Sequence, residues 1–203
     1  IENLSKKFEE KSVLEDLSAK FDQGIIYALL GRNGAGKTTL FSLIAKELKK
    51  DSGKAYLLEN GEKINLASKD VFFMLAEPEL PRFLTAREFI KFFIDVNKDR
   101  INNLKDPSYY FDLVIFEEED KDRLIQGYST GMRNKIQMMM FLILKPKVIL
   151  MDEPLNSLDV VVQKEMKDLI KSIKHDHIII FSTHILDLAK DISDEIVLLH
   201  KGQ

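Results

Sequence analysis

The sequence predicts an α/β fold in which a parallel sheet is covered by helices on both faces. Two observations carry this prediction. Short runs such as "IIYALL" (Ile25–Leu30), "VFFMLA" (Val71–Ala76) and "VILMD" (Val148–Asp152) are almost wholly apolar, as strands buried on both sides must be. Between them lie segments whose apolar residues recur at helical spacing, and strands that alternate with helices build a parallel sheet.

The elements follow in order. Leu17, Ala19 and Phe21 alternate with polar neighbours, the pattern of a half-buried strand, and Asp22-Gln23-Gly24 turns the chain into the Ile25–Leu30 strand. From Thr38 to Lys50, Leu40, Phe41, Ile44, Ala45 and Leu48 share a helical face, with Gly53 as the stop. Thr85 and Glu88 form a capping box ahead of a helix carrying Phe89, Ile90, Phe92, Phe93 and Val96. Between residues 98 and 127 no period holds, because Pro107 and the acidic run Glu117–Asp120 interrupt it; the acidic run reads as a solvated turn. A helix begins near Gly131 and runs to Leu144, where Lys145-Pro146-Lys147 breaks it. After the Val148–Asp152 strand come a helix from Asp159 to Lys174, the strand "HIIIFST" from His177, a short helix from Ile185 to Lys190, and a last strand "EIVLL" from Glu195.

Composition narrows the function classes. With 203 residues the chain suits one domain. A chain of that size buries roughly 70% of its unfolded surface and needs no staples. The absence of cysteine excludes a disulfide framework and a thiol nucleophile. The longest apolar run, Met138–Leu144, falls far short of the ~20 residues that span a bilayer. A net charge of −3 argues against nucleic acid as the main partner, since phosphate neutralisation calls for clustered Lys and Arg.

Three stretches carry chemistry. Gly31-Arg32-Asn33-Gly34-Ala35-Gly36-Lys37-Thr38 fits the pattern GxxxxGK[ST], and Thr39 follows it. It leaves a buried strand and enters an amphipathic helix, the context that makes such a loop a phosphate cradle. Glycines let successive N–H groups turn inward around anionic oxygens, and the helix start adds about half a positive charge there. Lys37 would reach the β- and γ-phosphates of a nucleotide, and the Thr38 hydroxyl would ligate Mg²⁺. "VILMDEP" places Asp152 at the carboxyl end of a buried strand, where it would hold Mg²⁺, with Glu153 free to deprotonate an attacking water. His184, in "FSTH", ends another core strand and could keep that water and Glu153 in register, whereas His175, His177 and His200 read as structural.

Taken together, phosphate loop, "YSTGM", "VILMDEP", "NSLD" and "FSTH" in this order resemble the ATP-binding-cassette (ABC) ATPases over essentially the whole chain. The resemblance implies a P-loop NTPase core with a parallel sheet, an N-terminal antiparallel β-subdomain and an inserted helical lobe. The core lobe would be residues 1–76 and 145–203, and the helical lobe residues 77–144. It implies that Phe8 stacks on adenine with Val13 nearby, and that Ser129, Thr130, Gly131 and Met132 form the signature that closes over the ATP of a second copy. "NSLD", Asn156–Asp159, would be the D-loop with Asp159 in it, and His184 the switch histidine. Read without the family, "YSTG" is also a helix N-cap, "NSLD" a cap and Phe8 an ordinary strand aromatic.

Two departures stand out. Where the family has a glutamine after the Val71 strand, this chain has Ala76, followed by Glu77, which is expected to take over part of the role toward Mg²⁺. The signature reads Gly131-Met132, with Arg133 and Lys135 behind it, and "YSxGMRxK" looks like the subfamily that energises export-type permeases. The leading expectation is therefore the cytoplasmic ATPase subunit of a membrane exporter, paired head to tail with a second ATPase subunit and docked on the inner face of the membrane through an integral permease. Phe83, Phe89, Phe92 and Phe93 would line the docking groove, or equally pack in the core. The alternatives are a soluble ABC ATPase in DNA repair or translation, and a small-molecule kinase using the same loop. The first lacks its coiled-coil insertion or second cassette here, and the second leaves "YSTGM" unexplained.

Overall fold

A computed structural model describes residues 1–156 and 158–203. The strands are β1 (Glu2–Phe8), β2 (Lys11–Leu17), β3 (Ile26–Leu30), β4 (Ser52–Lys54), β5 (Tyr56–Glu59), β6 (Glu62–Asn65), β7 (Val71–Met74), β8 (Val148–Met151), β9 (Ile178–Thr183) and β10 (Glu195–Leu198). The helices are α1 (Lys37–Ile44), α2 (Ala86–Asn97), α3 (Pro107–Leu113), α4 (Thr130–Leu144), α5 (Val160–Ile173) and α6 (Leu186–Ile192). They group into two compact units. The first holds residues 1–73, 147–153 and 174–203; the second holds 74–146 and 154–173.

In the first unit the main sheet has the order β10-β3-β9-β8-β7, and the pairs from β10 to β8 are parallel. Register decides where chemistry can happen. Leu30 pairs with Thr183, so β3 and β9 end level and deliver Gly31 and His184 together; Met151 pairs with Phe181, so β8 ends two residues earlier and brings Asp152 level with Ser182. Strands β2, β1 and β4, in that order, form a second, antiparallel sheet. Leu4, Leu14, Leu29, Phe41, Leu150 and Ile180 pack between these layers, and Phe41 meets Phe73 edge-to-face at 5.8 Å. In the second unit α2, α3 and α4 bury Ile90, Tyr110, Phe111, Ile136 and Phe141. Among the described residues no helix is long and apolar enough to cross a membrane.

The α/β class and parallel sheet are as expected, and four local expectations are corrected. The alternation at Leu17, Ala19 and Phe21 is not a strand: β2 ends at Leu17, and Phe21 packs instead against Tyr27 from the loop, ring centroids 5.0 Å apart. The helix from Thr38 stops at Ile44 rather than Lys50, because Lys46 takes a left-handed φ of 64° and the Glu47 and Leu48 amides fold back onto the Ser42 carbonyl. Gly53 is no helix stop; it lies in β4, where a Cβ would fall 2.3 Å from the Asn3 carbonyl oxygen. Pro107 begins a helix instead of breaking one: it occupies the first turn of α3, where a missing N–H costs nothing, behind an Asp106 cap. The β5–β6 hairpin escaped the reading altogether, although Asn60-Gly61, both at positive φ, is the residue pair that such a tight turn requires.

Candidate nucleotide and hydrolysis site

The phosphate loop connects β3 to α1 in the form its glycines demand. Gly31 donates its N–H to the Thr183 carbonyl at 3.2 Å, and a Cβ there would stand 2.7 Å from the Leu199 carbonyl oxygen. Gly34 and Gly36 have φ of 81° and 106°, a region that other residues enter only under strain. Gly36 precedes α1 without a side chain to cap it, so the first amides of that helix are suited to an anion. Val13 lies against this glycine: its carbonyl oxygen would be 3.1 Å from a Cβ at Gly36. Phe8, at the end of β1, is 43% exposed, with the Lys6 ammonium 5.2 Å from its ring centroid. Arg32, Asn33 and Thr38 are exposed, Ala35 and Thr39 half-buried.

Lys37 is buried and folds back over the loop, its ammonium donating to the Gly31 carbonyl at 2.8 Å and lying 3.6 Å from the Glu153 carboxylate. The Thr38 hydroxyl donates to Asp152 Oδ2 at 2.6 Å, bridging 114 residues of sequence. These are hard oxygen donors of the type Mg²⁺ takes, and the metal needs few protein ligands because it keeps waters and phosphate oxygens. The residues present therefore fit it. No group of three or more His, Cys, Asp and Glu side chains suited to a metal occurs among the described residues. Glu77 is exposed, in the second unit, three residues beyond β7.

Glu153 has a left-handed φ of 45°, a conformation costing about 1–3 kcal/mol unless its surroundings enforce it. Its carboxylate lies 3.2 Å from His184 Nδ1, so the two residues expected to act together do meet. The enforcing partner is one the sequence reading missed. Ser182 accepts the Glu153 N–H at 2.9 Å and donates its own hydroxyl to Asp152 Oδ1. A signal was available: a serine directly after the apolar run Ile178–Phe181 of β9 is fully buried and must find partners.

In the second unit Ser129 caps α4, accepting the Met132 N–H at 3.2 Å, and the side chain itself is exposed. Thr130 and Met132 are half-buried, while Gly131 packs so closely that a Cβ would meet Val162 Cγ1 at 3.3 Å. Tyr128 is buried, its hydroxyl 3.0 Å from the Arg123 carbonyl oxygen. Asp159 caps α5, accepting from the Val161 and Val162 amides at 3.0 and 2.9 Å; Ser157 of the same stretch lies outside the described residues.

The profile of the ABC transporter family matches residues 14–156. The chain belongs to the ABC transporter family. It is 30% identical over 207 residues to the ABC transporter ATP-binding protein YdbJ of Bacillus subtilis, covering all of this chain and 66% of the relative. Identity is 33% over 211 residues to the sulfate/thiosulfate import ATP-binding protein CysA of Mannheimia succiniciproducens, covering all of this chain and 59% of that protein. Among solved structures, the ATP-binding subunit of an ABC transporter superposes with a TM-score of 0.81 at 26% identity, over 99% of this chain and 85% of the other. The cassette thus has the fold of the family's ATPase domains, while it spans less than two thirds of the length of both of these sequence relatives.

Proposed function

We propose that this cassette is the ATP-binding and ATP-hydrolysing subunit of a membrane transporter, acting as one half of a head-to-tail pair. The observation that carries the proposal is the placement of Glu153, its carboxylate 3.2 Å from His184 and 3.6 Å from Lys37, beside the Thr38–Asp152 pair. In this reading the loop from Gly31 to Thr39 wraps the phosphates and Lys37 exchanges its loop carbonyls for phosphate oxygens. Phe8 and Val13 flank the base. Thr38 and Asp152 hold Mg²⁺, which supplies charge neutralisation at the β- and γ-phosphates. Glu153 accepts the proton of the attacking water, and His184 holds its carboxylate in place. Glu77 contributes to the metal's water shell from the segment after β7.

Ser129, Thr130, Gly131 and Met132 serve the nucleotide of the partner copy, and Asp159 lines the same junction. The Ser129 hydroxyl and the dipole at the start of α4 offer that nucleotide a second set of polar groups, so ATP binding and pairing become one event. An integral permease takes the assembly to the cytoplasmic face of the membrane. Phe83 and Phe92, 77% and 55% exposed, fit its docking helix; Phe89 is buried and Phe93 half-buried, so those two serve packing. Export is favoured over import by the "YSxGMRxK" signature.

The test is ATPase activity against protein concentration. Specific activity should climb as copies meet. A rate per molecule that stays flat from dilute to concentrated solution would rule out the composite site. Co-purification with a polytopic membrane protein identifies the permease; recovery with ribosomes or DNA would replace the transport reading.

A further inference from the structure

Helix α4 carries two amide side chains into an otherwise apolar interior. Asn134 is 2% exposed and Gln137 4%, among the buried Ile136, Met138 and Met139. Buried amides need partners, and these two find backbone. Gln137 treats Leu75 as a neighbouring strand would: Oε1 accepts the Leu75 N–H at 3.0 Å, and Nε2 donates to the Leu75 carbonyl at 3.0 Å. Nε2 also lies 3.4 Å from Asn134 Oδ1, and Asn134 Nδ2 donates to the Pro154 carbonyl at 3.1 Å. All four residues belong to the second compact unit.

The ends of this relay matter. Leu75 is the residue immediately after β7, and Pro154 the residue immediately after Glu153. At each of these points the chain has just passed from the first unit into the second. One helix, the one that starts at Ser129, is thereby bonded to the backbone at the exits of two strands. Glu153 meanwhile keeps a left-handed backbone that needs enforcement. Ser182 fixes its peptide on the amino side, and Asn134 fixes the residue that follows on the carboxyl side. Leucine would fill the Gln137 position but would leave the Leu75 N–H and carbonyl without these bonds, so the amide is there for its bonds and not for bulk. A fully bonded buried network specifies one arrangement where apolar contacts would allow several.

We propose that Asn134 and Gln137 are positioning residues for ATP hydrolysis: they lock α4 to the exits of β7 and β8 and so set the backbone at Glu153. This rests on the ATPase reading above. The relay passes any shift of α4, and hence of its Ser129 end, to the residue next to the hydrolytic carboxylate.

The experiment compares the full chain with Gln137→Leu, which removes every bond to Leu75, and with the near-isosteric Gln137→Glu, which keeps only the acceptor. MgATP turnover and ATP affinity are measured separately at a protein concentration where the unaltered chain is fully active. The expected split is a kcat at least about tenfold lower in both variants, as small misplacements at a reacting centre produce. ATP affinity, set by the loop around Lys37, should stay within about twofold. Variants that match the unaltered chain in kcat overturn the proposal. So does parallel loss of kcat and ATP affinity, or loss of folding, in both variants, because the relay would then be a support of the fold and nothing more. An unaltered chain that does not cleave MgATP would remove the ATPase reading, and the positioning role with it. Turnover by the unaltered chain with unaffected variants removes the positioning role alone.

Discussion

The Ser182 hydroxyl stands between Asp152 and Glu153, donating to the carboxylate of one and accepting the amide hydrogen of the other at 2.9 Å. A single buried side chain therefore aims the carboxylate proposed for Mg²⁺ and fixes the peptide of the residue proposed as the base. Ser182→Ala leaves both without that partner in a fully buried position. Losing such a bond costs about 1–3 kcal/mol. Turnover should fall about tenfold to a hundredfold while ATP affinity holds, and the Mg²⁺ concentration for half-maximal rate should rise. Steady-state assays over a Mg²⁺ titration check this, and an unchanged titration curve would exclude the serine from the site.

Glu153→Gln keeps the shape of the residue beside His184 and removes the proton acceptor. Hydrolysis should drop by about 10²–10⁴-fold with ATP still bound. In the proposed head-to-tail pair the anion would then persist between the copies, and the variant should accumulate as an ATP-dependent dimer, visible by sedimentation. Lys37→Ala should lose binding and pairing together.

Gly31→Ala tests the fit of the loop against β10. The added methyl would stand 2.7 Å from the Leu199 carbonyl oxygen, which is backbone and cannot swing away. Overpacking of this kind costs about 1–3 kcal/mol. The midpoint of chemical denaturation should fall accordingly, and nucleotide affinity should fall with it. A variant as stable as the original would mean that the end of β10 yields without cost.

Tyr128→Phe removes a buried hydroxyl that donates to the Asp120 carbonyl at 2.5 Å and lies 3.0 Å from the Arg123 carbonyl. The expected loss is about 1 kcal/mol, read from denaturant midpoints. Burial holds the Tyr128 hydroxyl above its usual pKa of 10.0. The folded protein therefore keeps a proton that the unfolded chain has released, and stability declines as pH rises beyond about 10. The deficit of Tyr128→Phe relative to the original should shrink over the same alkaline range. A difference that is constant with pH would show that this hydroxyl does not titrate differently on folding.

Much of the fold was legible because its signals are local. The apolar runs of β3, β7, β8 and β9 could only be buried strands, and the Thr85–Glu88 capping box starts α2 as expected, with the Glu88 side chain accepting the Thr85 amide at 2.9 Å. Pro107 misled because a proline that breaks a helix interior is also the best first residue of one, and only the Asp106 cap tells the two apart. The end of α1 was hidden for a similar reason. Lys46 adopts the left-handed turn usually left to glycine, while Leu48 keeps the apolar period running past the helix end by packing on the core from a turn.

The sequence by itself determined the phosphate loop and the residues at the strand ends. The glycines, Lys37 and Thr38 lie within the single stretch Gly31–Thr38, where spacing alone dictates geometry. The tertiary structure alone decided which polar groups hold that machinery in place. Ser182 reaches Asp152 across 30 residues, Gln137 reaches Leu75 across 62, and Asn134 reaches Pro154 across 20. A buried donor must find an acceptor, but nothing in its near neighbours in sequence says which one. Packing of the helices and the sheet makes that choice.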